Sequence, residues 1–436
     1  MTSAEPARRM AAEPHDCYSF LDEQSNRVTR LSTGFTGLTT PVPLNLSDSQ
    51  WNALAARYKL IKEWQTTTLK LFTASLTGEV TPDIAELFLR EIPPFLVAYH
   101  RDVVASVPVQ PPAFFRTDEA VLGKIVEVQS PGSQWGTYEQ LQDYYKTQGY
   151  PLGTDLSEKW AIALAEEIDN QPIVYHIVTP VNFGSENYFI QKARRFVPYC
   201  GYDRGIRPLD CNFVRAHSYL VLVYEAYAQR RREAWAAGHL RYDSPPISIF
   251  QQKVQLCLPF WPTTRQFYRD AVRELFPYTC LVTPEGVVLE DGQLISIPRF
   301  CDLPRRDRQF YLKYGGADLN RNWGGIAVYN LAKASRRVCL ELLQRVVAAP
   351  EYWVMQRACS DVRDVDYITR DLDIATLRVH QKYSCFFGPS GLLGVLAMYE
   401  PFYKVHGSTE TINTVASVVK NTDSGDVKPG ATVDAL

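Results

Sequence analysis

Residues 114–136 of the chain read FFRTDEAVLGKIVEVQSPGSQWG, and this stretch decides the predicted fold. Its segment KIVEVQ, residues 124–129, alternates like a strand, so Glu127 and Gln129 point to one face and the two valines to the other. A Leu-Gly turn precedes this strand, and Arg116-x-Asp118 precedes the turn. If Arg116 and Asp118 lie on a neighbouring strand, one patch holds a guanidinium, two carboxylates and an amide.

This combination of side chains is typical of a phosphate site. Mg²⁺ takes oxygen ligands, usually one or two carboxylates together with substrate phosphates. A fixed guanidinium such as that of Arg116 suits the charge of a phosphoryl group. We therefore interpret the hairpin as a Mg²⁺–phosphate site. The alternative is a surface hairpin with an ordinary ion pair, and the stretch alone leaves both open.

Composition limits the class of protein. The 436 residues are 46% hydrophobic and 22% charged, which predicts a globular chain of two to three domains. The net charge of −2 gives no basic footprint for nucleic acid. Nine cysteines without a C-x-x-C pair indicate reduced thiols in a cytoplasmic protein. We see no signal peptide and no apolar run of membrane-spanning length, so we expect no membrane partner.

The first hundred residues are predicted to be mainly helical. Residues 32–43, rich in Thr, Gly and Pro, are predicted to form a loop. Ser47 or Asp48 can cap a helix, and Thr81-Pro82-Asp83 is a second helix start. Farther on, helices at 138–147 and 157–168 precede the apolar strand 171–179, QPIVYHIVT, and a helix at 185–196 follows it. Such a strand belongs to a sheet covered on both faces, within an α/β unit.

A glycine-rich segment follows a lysine in the C-terminal half. The strand QFYLKY, residues 309–314, carries Lys313 and runs into Gly315-Gly316 and then into NWGG, residues 322–325. A lysine leaving a strand supplies a point charge for phosphate, and a glycine-rich flap lets backbone N–H groups approach phosphate oxygens. The segment is not a Walker loop. The alternative interpretation is a glycine-rich hairpin turn.

Basic side chains alternate along a later strand. In TLRVHQKY, residues 376–383, the side chains of Arg378, His380 and Lys382 share one face, and Lys404 and His406 follow. A cationic face beside a nucleotide pocket would bind phosphate or a substrate carboxylate. The alternative is a polar edge strand. The acidic residues in 361–373 are predicted to lie in a solvated loop.

The hairpin resembles the magnesium motif of the glutathionylspermidine synthetase-like, circularly permuted ATP-grasp ligases, in which an Arg-x-Asp strand is followed by a Glu-x-Asn strand. Arg116, Asp118 and Glu127 match this motif, and Gln129 stands where Asn is usual, with the same amide oxygen. The resemblance extends over about residues 114–417. In ordinary ATP-grasp enzymes the acidic metal motif comes after the lysine strand and the adenine-binding hinge. Here it precedes the lysine strand and the segment YWVMQ, residues 352–356, which resembles that hinge, and this is the order of the permuted branch.

The resemblance implies an α/β protein with an ATP-grasp fold of two lobes, a Rossmann-like segment and a helical N-terminal part. The implied division is a disordered tail at 1–16, a helical part at 17–110, an α/β lobe with the motif at 111–250, a nucleotide-binding lobe at 251–420 and a disordered tail at 421–436. The implied reaction is ATP-dependent ligation of a carboxylate to an amine through an acyl phosphate, with ATP and Mg²⁺ as cofactors. A non-catalytic nucleotide- or peptide-binding accessory protein and an ATP-dependent phosphotransferase are the alternatives.

The same resemblance assigns roles to individual residues. The segment YWVMQ, residues 352–356, resembles the hinge whose backbone reads the adenine edge, and Lys253 follows a Pro-Pro break as in many relatives. The expected catalytic residue is Arg116, and the expected metal ligands are Asp118, Glu127 and Gln129. The expected ATP-binding residues are Lys253, Lys313, Gly315, Gly316, Gly324, Gly325 and Gln356. The expected contacts to substrate or phosphate are Arg378, Lys404 and His406. The sequence names neither the acid, nor the amine, nor the oligomeric state.

Overall fold

The computed structural model describes residues 37–419 with gaps at 91, 93, 107–108, 131–133, 169–172, 177–182, 197–199, 204–212, 217–232, 234–235, 240, 243, 246, 317, 319–320, 322–326, 404 and 406–409. The predicted tails therefore lie outside the described residues. The helices are α1 (Asp48–Ala56), α2 (Tyr58–Thr77), α3 (Pro82–Leu89), α4 (Pro94–Ser106), α5 (Trp135–Thr147), α6 (Leu156–Ile168), α7 (Phe183–Ala193), α8 (Asp270–Arg273), α9 (Ile297–Asp302) and α10 (Arg336–Ala348). Short 3-10 turns lie at Ser248–Gln251, Lys253–Leu256 and Arg265–Phe267.

The strands form three sheets within the described part of the chain. They are β1 (Leu38–Thr39), β2 (Leu44–Ser47), β3 (Phe115–Val121), β4 (Lys124–Gln129), β5 (Ile173–His176), β6 (Cys200–Asp203), β7 (Phe213–Ala216), β8 (Arg241–Tyr242), β9 (Thr279–Thr283), β10 (Gly286–Val288), β11 (Leu294–Ile295), β12 (Phe310–Tyr314), β13 (Val328–Asn330), β14 (Trp353–Arg357), β15 (Val362–Ile368), β16 (Ile374–Gly388), β17 (Gly391–Glu400) and β18 (Ile412–Val419). The architecture is therefore mixed α/β.

The largest sheet has the order β15-β1-β18-β17-β16-β3-β4, with β2 paired to β18. Because β15 also pairs with β16, part of this sheet closes on itself. Strands β1 and β2 run parallel to β18, whereas the other pairs in this sheet are antiparallel. Consequently the first and last described strands of the chain lie side by side.

Helices cover both faces of the largest sheet. Trp64 and Phe72 of α2 share a core with Phe387 of β16, on the face covered by the N-terminal helices. Trp135 of α5 packs with Phe386 on the other face, at a ring-centroid distance of 4.9 Å. Phe386 and Phe387 are consecutive residues of β16, so their side chains point to opposite faces of the sheet and pack into different cores.

The second sheet has the order β11-β10-β9-β14-β12-β13 and packs against α9 and α10 around its own core. The third sheet is parallel, with the order β6-β5-β7-β8. Its strand β5 lies within the predicted strand 171–179 and is flanked by parallel neighbours, so the strand itself is confirmed at residues 173–176. No helix in the described residues combines the length and apolar character needed to cross a bilayer.

Local sequence signals account for the helix starts. Ser47 and Gln50 form a reciprocal capping box at the start of α1, and α3 begins at Pro82 as predicted. One loop prediction was wrong, and a second was wrong at two residues. The predicted loop at 361–373 contains β15, which forms a hairpin with β16, and the predicted loop at 32–43 contains β1.

Candidate functional site

Strands β3 and β4 form the predicted antiparallel hairpin. Arg116 lies opposite Gln129, and Asp118 lies opposite Glu127. Directly opposed residues of an antiparallel pair share a face of the sheet, so the four side chains lie on one face as the sequence indicates. The hairpin also joins the largest sheet, because β3 pairs with β16 on its other edge.

Asp118 is buried and ion-paired at the centre of this face. The Nε and Nη2 atoms of Arg116 donate to its Oδ1 and Oδ2 over 2.9 and 3.2 Å. The Lys382 ammonium donates to Oδ2 over 3.0 Å, and the Ser384 hydroxyl donates to Oδ1 over 2.9 Å. Burial by itself would raise the pKa of Asp118, but Arg116 and Lys382 outweigh it and hold this pKa well below its usual range.

Lys313 connects the second sheet to the hairpin. Its ammonium donates to the side-chain oxygen of Gln356 over 2.6 Å and to the backbone oxygen of Val126 in β4 over 3.0 Å. Gln356 in turn donates to the Thr279 hydroxyl over 3.2 Å. The backbone of Gln356 lies between two paired strands, so in this structure the residue orients Lys313 and does not line an opening.

A second lysine reaches the hairpin from the 3-10 turn that begins at Lys253. The Lys253 ammonium lies 3.2 Å from Oε1 of Glu127, whose side chain is 28% exposed. Burial lowers the pKa of Lys313 to about 8, and the positive charge of Lys253 adds to this effect while Glu127 opposes it. Lys313 is therefore a cation held at an energetic cost in a buried position.

The described residues of the site carry more positive than negative side chains. The cations are Arg116, Lys253, Lys313 and Lys382, and the carboxylates are Asp118 and Glu127. An excess of positive charge in a partly buried site favours a polyanion such as a nucleoside triphosphate. The arrangement brings these cations together from four separate stretches of the chain.

Two of the three predicted metal ligands are suited to a hard cation. Glu127 offers a partly exposed carboxylate, and Gln129 offers an amide oxygen two residues away on the same face. The oxygens of Asp118 differ, because each of them already accepts two hydrogen bonds. The donor set therefore fits Mg²⁺ at Glu127 and Gln129, whereas Asp118 has its lone pairs occupied.

The other predicted residues are placed as follows. Gly315 lies between strand and turn, where its N–H donates to Tyr352 and its carbonyl accepts from Val254. Gly316 follows it and is buried. Arg378 is exposed and lies 3.6 Å from Asp364, away from the centre of the site. The remaining predictions, at Gly324, Gly325, Lys404 and His406, fall outside the described residues.

Sequence reasoning did not assign Lys382 and Ser384 to the site. The alternation places Lys382 on a basic face with Arg378, and no pattern in the sequence singles out Ser384. The two residues contact Asp118 because β16 pairs with β3, across 264 and 266 positions of the chain. The alternation of residues 376–383 marks Lys382 as a candidate, but no local signal gives its strand partner.

Comparison with solved structures finds a similar overall fold in a glutathione synthetase-like effector, GSS30, from Globodera pallida in its apo form. The TM-score is 0.50 at 13% sequence identity, and the match covers 95% of this chain and 98% of that chain. At this identity the similarity concerns the fold alone. No family model matches the sequence, and no curated protein matches it at a significant level.

Proposed function

We propose that the protein is an ATP-dependent ligase of the circularly permuted ATP-grasp type, which joins a carboxylate to an amine. One observation carries this proposal: Lys313 and Lys253 both contact the hairpin of β3 and β4, Lys313 at the backbone of Val126 and Lys253 at the carboxylate of Glu127. Cations for a triphosphate and oxygen ligands for a metal ion thereby lie at one junction between two sheets. The glutathione synthetase-like fold of GSS30 supports the same class of reaction.

In the proposed reaction, an oxygen of the substrate carboxylate attacks the γ-phosphorus of ATP, and ADP leaves. The amine nitrogen then attacks the acyl carbon of the acyl phosphate, so that a C–N bond forms and inorganic phosphate leaves. Catalysis of this kind is mainly positioning and charge stabilisation. A bound Mg²⁺ ion would neutralise phosphate charge beside Glu127 and Gln129.

The side chains of this chain divide the work as follows. Lys253 and Lys313 would bind the phosphates of ATP, with Gln356 holding Lys313 in position. Arg116 would stabilise the phosphoryl group during transfer, and Asp118 fixes its guanidinium in place. We propose Gly316, Gly324 and Gly325 as a phosphate flap, and Lys404 and His406 as further contacts to the substrate. The N–H of Gly315 already donates to Tyr352, and Arg378 lies beside Asp364 away from the centre of the site, so neither is included.

The second candidate is nucleotide binding without ligation. One observation favours it: Asp118, which the family resemblance assigns to the metal, is already saturated by Arg116, Lys382 and Ser384. A site with one carboxylate ligand binds Mg²⁺ through fewer protein oxygens. ATP would then be held by the lysines without being turned over.

The test is ADP release in the presence of Mg²⁺, screened over pairs of amino acids, small peptides and polyamines, with mass spectrometry of the product. A ligase releases ADP and phosphate together with an amide. ADP with a phosphorylated product identifies a phosphotransferase, and nucleotide binding without ADP release supports the second candidate. Glu127→Ala should abolish ADP release. Glu63→Ala is its matched control, because Glu63 is a comparably exposed glutamate that pairs with Arg269 outside the site.

A further inference from the structure

Among the partners of Asp118, Lys382 is the one nearest to solvent. The side chain of Lys382 is 15% exposed, whereas that of Arg116 is 3% exposed and Ser384 is fully buried. Asp118 itself is 1% exposed. Of the side chains around Asp118, that of Lys382 is therefore the most accessible to an ion or ligand from solvent.

The lone pairs of Asp118 leave no coordination position for a metal ion. A carboxylate has about four lone-pair sites, and Arg116, Ser384 and Lys382 occupy four between them. Arg116 binds through two nitrogens, so its displacement would break two charged hydrogen bonds. Lys382 binds through one hydrogen bond on a flexible stem. Ser384 also donates one hydrogen bond, but its side chain is fully buried. A metal ion that arrives from solvent would therefore displace Lys382 first.

Lys192 is an example of a lysine whose ammonium has a purely structural role. Lys192 lies 2.6 Å from Glu139, 2.7 Å from Asp143 and 2.8 Å from Asp155. Three carboxylates use all three of its protons, and the ammonium occupies the centre of a group that could otherwise hold a cation. Lys382 differs because, within the described residues, its ammonium donates to Asp118 alone. Two of its protons therefore remain for a ligand.

We propose that Lys382 takes the place of a divalent cation at Asp118 and offers its remaining protons to an anionic oxygen of the bound substrate. This inference rests on the proposed function and adds a residue to its site. Asp118 then acts as a positioning residue for Arg116 and Lys382, and the metal ion binds at Glu127 and Gln129. The charge that a second metal ion would bring is supplied by the protein itself.

The experiment counts Mn²⁺ ions bound per chain in the presence of a non-hydrolysable ATP analogue, using the electron paramagnetic resonance signal of free Mn²⁺. Lys382→Met removes the ammonium but keeps a long side chain, and it is expected to bind one Mn²⁺ ion more than the native chain. Lys382→Arg keeps the charge and is expected to match the native count. Adding Asp118→Asn to Lys382→Met is expected to abolish the extra ion.

The controls make each outcome decisive. Lys159→Met removes a lysine that donates to the Leu393 carbonyl outside the site, and it should leave the count unchanged. Equal counts for Lys382→Met and the native chain overturn the proposal, as does an extra ion that survives Asp118→Asn. If Lys382→Met does not fold by circular dichroism, Lys382→Ala provides the same comparison. Absence of nucleotide-dependent Mn²⁺ binding in the native chain counts against the proposed function, whereas the difference between variants judges Lys382.

Discussion

Replacing Lys313 by Met should change how the stability of the protein depends on pH. The folded protein lowers the pKa of Lys313 from 10.5 to about 8, chiefly because the side chain is buried. One pKa unit corresponds to about 1.4 kcal/mol, so the folded state disfavours this charge by about 3 kcal/mol. Methionine has a similar length and carries no charge, so the variant lacks this cost at every pH.

The sign follows from proton binding. Between pH 8 and 10.5 the folded lysine is neutral while the unfolded lysine stays protonated, so the unfolded state binds more protons. The free energy of unfolding of the native chain therefore rises with pH in this window, relative to Lys313→Met. From pH 7 to pH 10 the expected relative gain is about 2.5 kcal/mol. Other titrating groups are common to both proteins and cancel in the difference.

The assay is urea unfolding of both proteins at pH 7, 8, 9 and 10. Lys70→Met, at an exposed position of α2, is the control for the loss of a lysine that is not buried. A constant difference for Lys313→Met would refute the reasoning, because Lys313 would then lie where its charge is well solvated. At pH 7 the same variant should bind an ATP analogue more weakly by about 1.5–3 kcal/mol. In the native chain, affinity for the analogue should fall as the pH rises through 8.

Other predictions concern the hairpin and its packing. Glu127→Ala should abolish Mg²⁺-dependent turnover with a melting temperature close to the native value, since Glu127 is partly exposed; near-normal ADP release would contradict the metal assignment. Arg116→Lys should keep ATP affinity but lower turnover by about 10²–10³, because an ammonium lacks the planar fork. Lysine is preferable to alanine at this position, because removing the partner of buried Asp118 would lower the free energy of unfolding by about 3–5 kcal/mol. A loss of ATP affinity with normal turnover would make Arg116 a binding residue. Gly394→Ala should lower the free energy of unfolding by about 1–3 kcal/mol in urea titrations, because its Cβ would lie 2.7 Å from the Tyr138 ring; unchanged stability would mean that the ring moves freely.

Local patterns in the sequence account for the hairpin but not for its surroundings. The period of two in residues 124–129 correctly predicts that Glu127 and Gln129 lie on one face of the hairpin. The partners of Asp118 could not be read in this way, because Lys382 lies 264 positions away and only strand pairing brings it near. Periodicity within a segment carries no information about which strand will lie beside it.

The wrong loop prediction at 361–373 has a different cause. Residues of β15 alternate between more and less exposed positions, and Asp364 and Asp366 occupy two of the three exposed ones, beside Val362. Charged residues are common on exposed strands, where they discourage pairing with other chains, so acidity alone did not argue against a strand. The two-residue strand β1 is too short for any periodic signal, and its pairing with β18 decides its conformation.

The pairing of β3 with β16 has a consequence for how the protein is made. The hairpin with Arg116 and Asp118 emerges early during synthesis, but its strand partner is translated 264 positions later. At typical rates of translation the edge of β3 stays unpaired for on the order of 10–50 s. Unpaired edges invite association with other chains, so the nascent protein should depend on chaperones during this interval. A ribosome that stops before β16 releases a chain in which Asp118 has neither Lys382 nor Ser384, and in which the site has not been built.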